Sequence, residues 1–182
     1  MAGKLFVISG SSGVGKGTVI KEFMKLHPEF KLSVSCTTRK PREGEINGVH
    51  YFFLDKNEFK NNIDKNEYLE WAEFSGNFYG TQKAYVEKKI AEGKDLILEI
   101  DTKGALIVKS KMPEAKLIFI MPPSIEELEA RLRGRNTETE EAIQRRLEST
   151  KLEMENAEKF DYKVINDSIE NAVKSLETIM CN

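Results

Sequence analysis

The chain has 182 residues, 32% of them charged, with a net charge of only -2, which suits one well-buried core with small appendages and excludes the broad basic field of a nucleic-acid binder. Its two cysteines, Cys36 and Cys181, lie in no C-x-x-C or Cys/His spacing, so neither a disulfide framework nor a structural zinc is expected. No apolar run is long enough for a signal peptide or a membrane span, and no repeat or low-complexity tract is visible. These features give the expectation of a cytoplasmic protein in a reducing compartment, with no nucleic-acid or membrane partner.

The first apolar run, residues 4–9, reads as a buried strand and leads straight into Gly10-Ser11-Ser12-Gly13-Val14-Gly15-Lys16-Gly17-Thr18. Glycines there let the backbone turn with its N–H groups inward, the helix over residues 19–26 offers its positive end, and Lys16 adds a point charge. The spacing fits G-x-x-x-x-G-K, a cradle for a nucleotide triphosphate. Gly17 stands where a Ser or Thr hydroxyl normally meets Mg2+. Either Thr18 takes the metal, or water and phosphate oxygens hold it, and the reluctance of Mg2+ to dehydrate favours the second.

Residues 33–82 change texture and read as a small β-rich insert. Asn47-Gly48 between two strand-like pieces signals a hairpin, Ser75-Gly76-Asn77 separates two more strands, and Asp55 with Glu58 forms a capping box. Arg39 and Arg42, on a segment stiffened by Pro41, are placed to close as a fork on a second phosphate, with the Tyr51 hydroxyl completing the shell. In residues 68–72 the strand period sends Leu69 and Trp71 to one face and Glu70 to the other, into a cleft. Asp101, at the end of the strand over 96–100, approaches from across that cleft. Each acid alone reads as a surface carboxylate. Together they suit guanine, which offers donors at N1 and N2, while the Ser35 and Thr81 hydroxyls suit its O6.

Strands are expected at 96–100, 116–121 and 162–165, each separated by helix-like sequence, which is the pattern of a parallel sheet with helices on both faces. Its ligands bind beyond the carboxyl ends of the strands, where the glycine loop, Glu99 and Asp101 lie. A second insertion, residues 124–160, starts after Pro122-Pro123 and reads as a lid of two charged helices, with capping boxes at Ser124/Glu127 and Thr137/Glu140. It carries Arg131, Arg133, Arg135, Arg145 and Arg146. Lid arginines stabilise the charge spread over a transferring phosphoryl group, whereas Arg133 is expected to be an ordinary salt-bridged surface residue. The helix from Ser168 presents Ile169, Ala172, Val173 and Leu176 as a core face.

The chain resembles the guanylate kinase family from end to end. The glycine loop, the block from Ser33 to Tyr51 with Arg39, Pro41, Arg42, Gly44 and Glu45, then Glu70-Trp71, the run from Gly76 to Thr81, Ile100-Asp101, Pro122-Pro123-Ser124, the segment around Arg131 and Arg135, and Asn166-Asp167 match in order. The resemblance implies an α/β P-loop fold in one domain: core 1–32, 83–123 and 161–182, GMP-binding insert 33–82, lid 124–160. It implies transfer of the γ-phosphoryl group of ATP to GMP or dGMP with Mg2+. ATP would meet residues 11–18, with Arg135 and Asn166 near adenine, and Arg131, Arg135 and Arg146 near the transferred group. Arg39, Arg42, Tyr51 and Tyr79 would hold the GMP phosphate, and Ser35, Glu70, Thr81 and Asp101 the guanine. Lys16 and Arg39 join the lid arginines as catalytic groups.

Three positions depart from the family pattern: Lys103 stands for the usual Gln, Asn136 for the usual Gly of the lid, and Gly17 is a variant of the loop. Two acceptor carboxylates argue against a kinase for AMP, whose N1 is an acceptor. The intact Lys16 argues against a non-catalytic guanylate-kinase-like binding module, and the lack of an N-K-x-D motif against a regulatory GTPase.

Overall fold

The computed structural model describes residues 2–11, 13–134 and 139–181, the side chain of Arg131 excepted. Strand β1 (Leu5–Gly10) is buried at every position, and its apolar run from Leu5 to Ile8 is what a central parallel strand needs, covered as it is on both faces. It pairs in parallel with β7 (Leu96–Glu99) on one side and β8 (Lys116–Met121) on the other. The short β2 (Lys31–Leu32), which has no sequence signal of its own, adds beyond β7, and β9 (Tyr162–Ile165) beyond β8. The parallel sheet therefore has the order β2-β7-β1-β8-β9.

Helices α1 (Lys16–Leu26) and α7 (Ile169–Met180) cover one face, packing Val19, Phe23, Val173 and Leu176 on Phe6, Ile8 and Ile118. On the other face α3 (Lys83–Ala91) and α4 (Thr102–Lys111) pack Val86, Ala105 and Val108 on Val7, Leu98 and Leu117. Each fully buried side chain of this size contributes roughly 1.5–3 kcal/mol of transfer free energy, so the two layers hold the carboxyl ends of β1 and β7 in fixed relation. Helices α5 (Ile125–Gly134) and α6 (Glu140–Asn156) close on each other through Leu128, Leu132, Ile143 and Leu147. Among the described residues no helix is long and apolar enough to cross a membrane.

A second sheet has the order β4-β3-β6-β5, from β4 (Phe52–Phe53), β3 (Cys36–Thr37), β6 (Asn77–Gln82) and β5 (Tyr68–Phe74). Helix α2 (Lys56–Asp64) seals it by stacking Phe59 on Tyr68 and Phe78, with ring centroids 4.4 and 5.4 Å apart. The β5–β6 hairpin turns at Ser75-Gly76, both at positive φ, as a two-residue loop matched to strand twist requires.

Three local expectations are corrected. Asn47-Gly48 does not make a hairpin: β4 pairs in parallel with β3 instead, and the Asn47 region folds as a turn with Val49 and His50 N–H both on the Ile46 carbonyl. Leu69 and Trp71 do not share an environment, because the β5 register shifts between Tyr68 and Glu70, burying Leu69 and leaving Trp71 42% exposed. Helix α6 is capped by Thr139, whose Oγ1 accepts from Ala142 N, so it starts later than a Thr137 cap places it. Thr137 itself lies outside the described residues.

Candidate active site

The loop between β1 and α1 ends in Gly15, the N-cap of α1, at φ 91°, with Gly13 at φ 83°. In this left-handed region a side chain is strained. Gly15 gives no side-chain cap and α1 has no acid in its first turn, so the amide groups of that turn and the positive helix end stay available to an anion. They border a cavity of about 480 Å³ lined by Gly13, Gly15, Lys16, Gly17, Thr18 and Glu99. Lys16 makes no ion pair among the described residues. Ser11 is buried beneath the loop with its Oγ unpartnered, and Val14 N donates to the Ser11 carbonyl.

Asn166, only 3% exposed at the end of β9, donates from Nδ2 to the Val14 carbonyl at 2.7 Å. It therefore braces the loop from below. Arg146 of α6 reaches the loop from above, its Nη1 lying 3.6 Å from where a side chain on Gly13 would begin. Arg133 is engaged with Glu129 and Glu140 on the surface, as the sequence suggests. Ser12, Arg135, Asn136 and the side chain of Arg131 lie outside the described residues.

Across the cleft, Arg39 is held from behind. Its Nη1 and Nη2 donate to the two carboxylate oxygens of Glu45 at 2.9 and 2.8 Å, and Nη1 also donates to the Lys40 carbonyl. Glu45 in turn accepts from Arg42 N at 2.7 Å. The Arg39 guanidinium beside it, then the Arg42 amide, hold the Glu45 carboxyl down at about 2. With the end-on edge of Arg39 occupied, its Nε–H and the second Nη2–H form a remaining bidentate edge. The guanidinium carbon lies 5.5 Å from the Tyr51 ring centroid, and the Tyr51 and Tyr79 rings are 6.3 Å apart. Burial is the main cause that raises the Tyr51 phenol above its usual value. Arg42 is exposed at the rim.

Glu70 is buried, and Thr81 Oγ1 donates to its Oε1 at 2.6 Å. Asp101 caps α4 by accepting from Gly104 N at 2.7 Å. A side chain on Gly104 would begin 3.0 Å from Glu70 Oε2 and 3.4 Å from Asp101 Oδ1, so this glycine is what lets the two carboxylates flank one point. Burial, then the Asp101 charge, pushes the Glu70 carboxyl up, and the Thr81 hydroxyl opposes that. Because Thr81 commits its proton to Glu70, it is not a second donor to a base oxygen; Ser35, half-buried beside β3, has a hydroxyl with no such commitment.

A family profile described as guanylate kinase matches residues 2–182. The chain is 50% identical over 178 residues to the guanylate kinase of Prochlorococcus marinus, covering 98% of this chain and 96% of that one. It is 48% identical to that of Desulfitobacterium hafniense, covering 98% and 89%.

The chain belongs to the guanylate kinase family.

It is thus a nucleoside monophosphate kinase, and the activity of the family is phosphorylation of GMP by ATP. The crystal structure of guanylate kinase from Anaplasma phagocytophilum superposes with a TM-score of 0.76 at 33% identity, over 99% of this chain and 85% of that one. Shikimate kinase from Bacteroides thetaiotaomicron, at 13% identity and a TM-score of 0.55, shares the fold alone.

Three residues of this guanylate kinase site are given no specific contact in the sequence reading, although Glu99 is placed there at the ligand-binding end of the sheet. Glu45 has a partial signal, since an acid six residues after an arginine in a Pro/Gly-stiffened loop is placed to hold it, although Glu43 competes for that reading. Glu99 has another, at the carboxyl end of β7, where its Oε1 lies 3.7 Å from where a Gly17 side chain would begin. Gly104 has none, because its role depends on the position of Glu70 on a distant strand.

Proposed function

We propose that this chain binds ATP on the glycine loop and GMP, or dGMP, between the second sheet and α4, and joins them in line. The observation that carries this reading is the carboxylate pair around Gly104: one cavity of about 430 Å³ is lined by both Asp101 and Lys16. Acceptor-only groups that near a phosphate-binding lysine suit a base edge that only donates, as guanine N1–H and N2–H₂ do. Residues 33–82 serve as the acceptor-binding insert and 124–160 as the lid, on a core of 1–32, 83–123 and 161–182, in the cytoplasm.

Lys16 and the loop amides of residues 11–18 grip the triphosphate. The side-on edge of Arg39, with Arg42, Tyr51 and Tyr79, holds the acceptor phosphate, and Ser35, Glu70, Thr81 and Asp101 fix the guanine, Thr81 by orienting Glu70. An acceptor phosphate oxygen forms the new bond to the γ-phosphorus while the bond from that phosphorus to the β–γ bridging oxygen breaks, leaving ADP and GDP. No protein nucleophile takes part, so alignment and charge stabilisation by Lys16, Arg39, Arg131, Arg135 and Arg146 are the catalyst. Asn166 acts by holding the loop, next to where adenine leaves it.

The Thr18 hydroxyl and the Glu99 carboxylate border the loop cavity, and both are hard oxygen donors that fit Mg2+ bound chiefly through phosphate oxygens and water. Bound there, Mg2+ supplies charge neutralisation at the β- and γ-phosphates. An assay of ADP formation from ATP, run with GMP, dGMP, AMP and UMP, tests the proposal. Turnover with GMP and dGMP and little with AMP or UMP is the expected result; equal rates on AMP and GMP overturn the base assignment.

A further inference from the structure

Resting on the reading above, we infer that Lys111, in the last turn of α4, is a positioning residue for guanine recognition: it pins the irregular step of β5 that turns Glu70 toward the base. Three consecutive residues of β5 go to three places. The Tyr68 side chain stacks on Phe59 in the core of the second sheet, Leu69 joins Ala105 and Val108 of α4 in the core of the main sheet, and Glu70 meets Gly104 beside Asp101. In a regular strand Leu69 and Glu70 would point to opposite faces. The register shift between Tyr68 and Glu70 is what lets both turn to α4, since an extra residue in one strand re-aims the side chains that follow it. Lys111 Nζ donates to the Tyr68 carbonyl at 3.0 Å, on the peptide that joins the two cores.

Helix α4 thus clamps β5 at two ends. Gly104, Val108 and Lys111 stand at i, i+4 and i+7, a single stripe about 10 Å long. The first end of the stripe holds Asp101 and admits Glu70, and the second holds the Tyr68 carbonyl. Side chains on a helix lean toward its amino end, so the exposed Lys111 reaches back along the stripe to β5. A regular ladder needs no such donor, whereas a bulge interrupts the ladder and leaves backbone groups to be paired from elsewhere. The charged groups of α3 on the same crevice, Lys83 and Glu87, pair with each other at 3.8 Å and leave that carbonyl to Lys111. Lys111 also acts by charge. Burial is the main cause that raises the Glu70 carboxyl and Asp101 adds to it, while Thr81 and the Lys111 ammonium oppose it. Without Lys111, Glu70 is less firmly aimed and less readily ionised, and reading guanine donors needs both properties.

The test follows KM for GMP, KM for ATP and kcat across pH in the parent chain, Lys111→Met, Lys111→Arg, Glu70→Gln and the double variant Lys111→Met/Glu70→Gln. Lys111→Met keeps the stem and loses the donor, and is expected to raise KM for GMP about fivefold with KM for ATP and kcat within about twofold. Its acid limb of kcat/KM for GMP is expected to move to higher pH by about 0.5, a small shift because an exposed ammonium is screened. Lys111→Arg, which keeps a charged donor, is expected to restore both readings to within about twofold and about 0.2 of the parent. The double variant is expected to match Glu70→Gln within about twofold, because Lys111 acts through Glu70. If Lys111→Met does not fold, Lys111→Gln, a neutral donor, decides the matter by the same limb shift and the same cycle. A Lys111 loss that persists in the Glu70→Gln background, an equal rise in KM for ATP, or an unmoved acid limb overturns the inference. Absence of GMP turnover in the parent instead overturns the functional reading on which it rests.

Discussion

Around the glycine loop the proposed binding groups are backbone amides, one lysine and a helix end, whereas across the cleft they are side chains drawn from positions 35 to 101. The two sides are stiffened differently. The loop is fixed by glycine conformations and by Asn166 beneath it, so its geometry survives most side-chain changes. On the acceptor side three of the proposed binding groups have their own holders: Glu45 for Arg39, Thr81 for Glu70, and the Gly104 amide for Asp101. A site built from backbone should therefore fail at single points, and a site built from side chains should fail in pairs.

The single point on the loop is Lys16. Its charge is expected to matter most as negative charge shifts onto the β–γ bridging oxygen, so Lys16→Met should lower kcat by about a thousandfold and change KM for GMP by less than about threefold. Steady-state kinetics separates the two. If kcat holds, the amides and helix end suffice by themselves, and the contrast between the two sides extends to catalysis.

Pairwise failure is tested by Arg39 and Glu45. Arg39→Ala should raise KM for GMP roughly a hundredfold and Glu45→Ala about tenfold, because the guanidinium loses the partner that turns its side-on edge to the phosphate. The double variant should match Arg39→Ala alone, since Glu45 has nothing left to orient; residues in one network are non-additive in this way. Additive losses measured in the cycle would make Glu45 an independent contact. KM for ATP should stay within about twofold in all three.

The same contrast explains what the sequence reveals. The loop, β1, α1 and the caps at Asp55, Ser124 and Ser168 are legible because each depends on residues within a few positions of one another. The alternation of apolar runs with helical stretches likewise gives the parallel sheet. What stays hidden depends on partners distant in sequence. The Asn47-Gly48 pair carries a hairpin signal, yet β4 finds β3, fifteen or so residues back, and the turn is used within a loop. The bulge between Tyr68 and Glu70 breaks the period-two reading, so Trp71 emerges while Leu69 joins the core under the main sheet. Gly104 is one glycine in a helix until Glu70 is placed against it. The commitment of the Thr81 proton is equally invisible until β5 and β6 are in register.

Glu70 gives the smallest and most discriminating effect, since binding and stability should respond to pH in opposite directions. Burial, followed by the Asp101 charge, raises its carboxyl above the usual 4.5. Reading guanine donors requires the ionised form, so kcat/KM for GMP should fall several-fold as pH drops from about 7.5 toward that raised value. Glu70→Gln should flatten this limb at a lower plateau. Folding has the reverse sign. Between 4.5 and the raised value the folded chain binds more protons at Glu70 than the unfolded chain does, so Glu70 makes the fold less stable as pH rises through that window. At pH 7.5 the Gln variant, which keeps an acceptor for the Thr81 hydroxyl without a buried charge, should melt a few degrees higher, about 2–4 °C per kcal/mol for a chain of this size. At pH 4 the melting gap should close. A Gln variant that melts lower at pH 7.5 would mean that the buried charge is compensated locally, and the acceptor side would then share the loop's economy of leaving no strained charge behind.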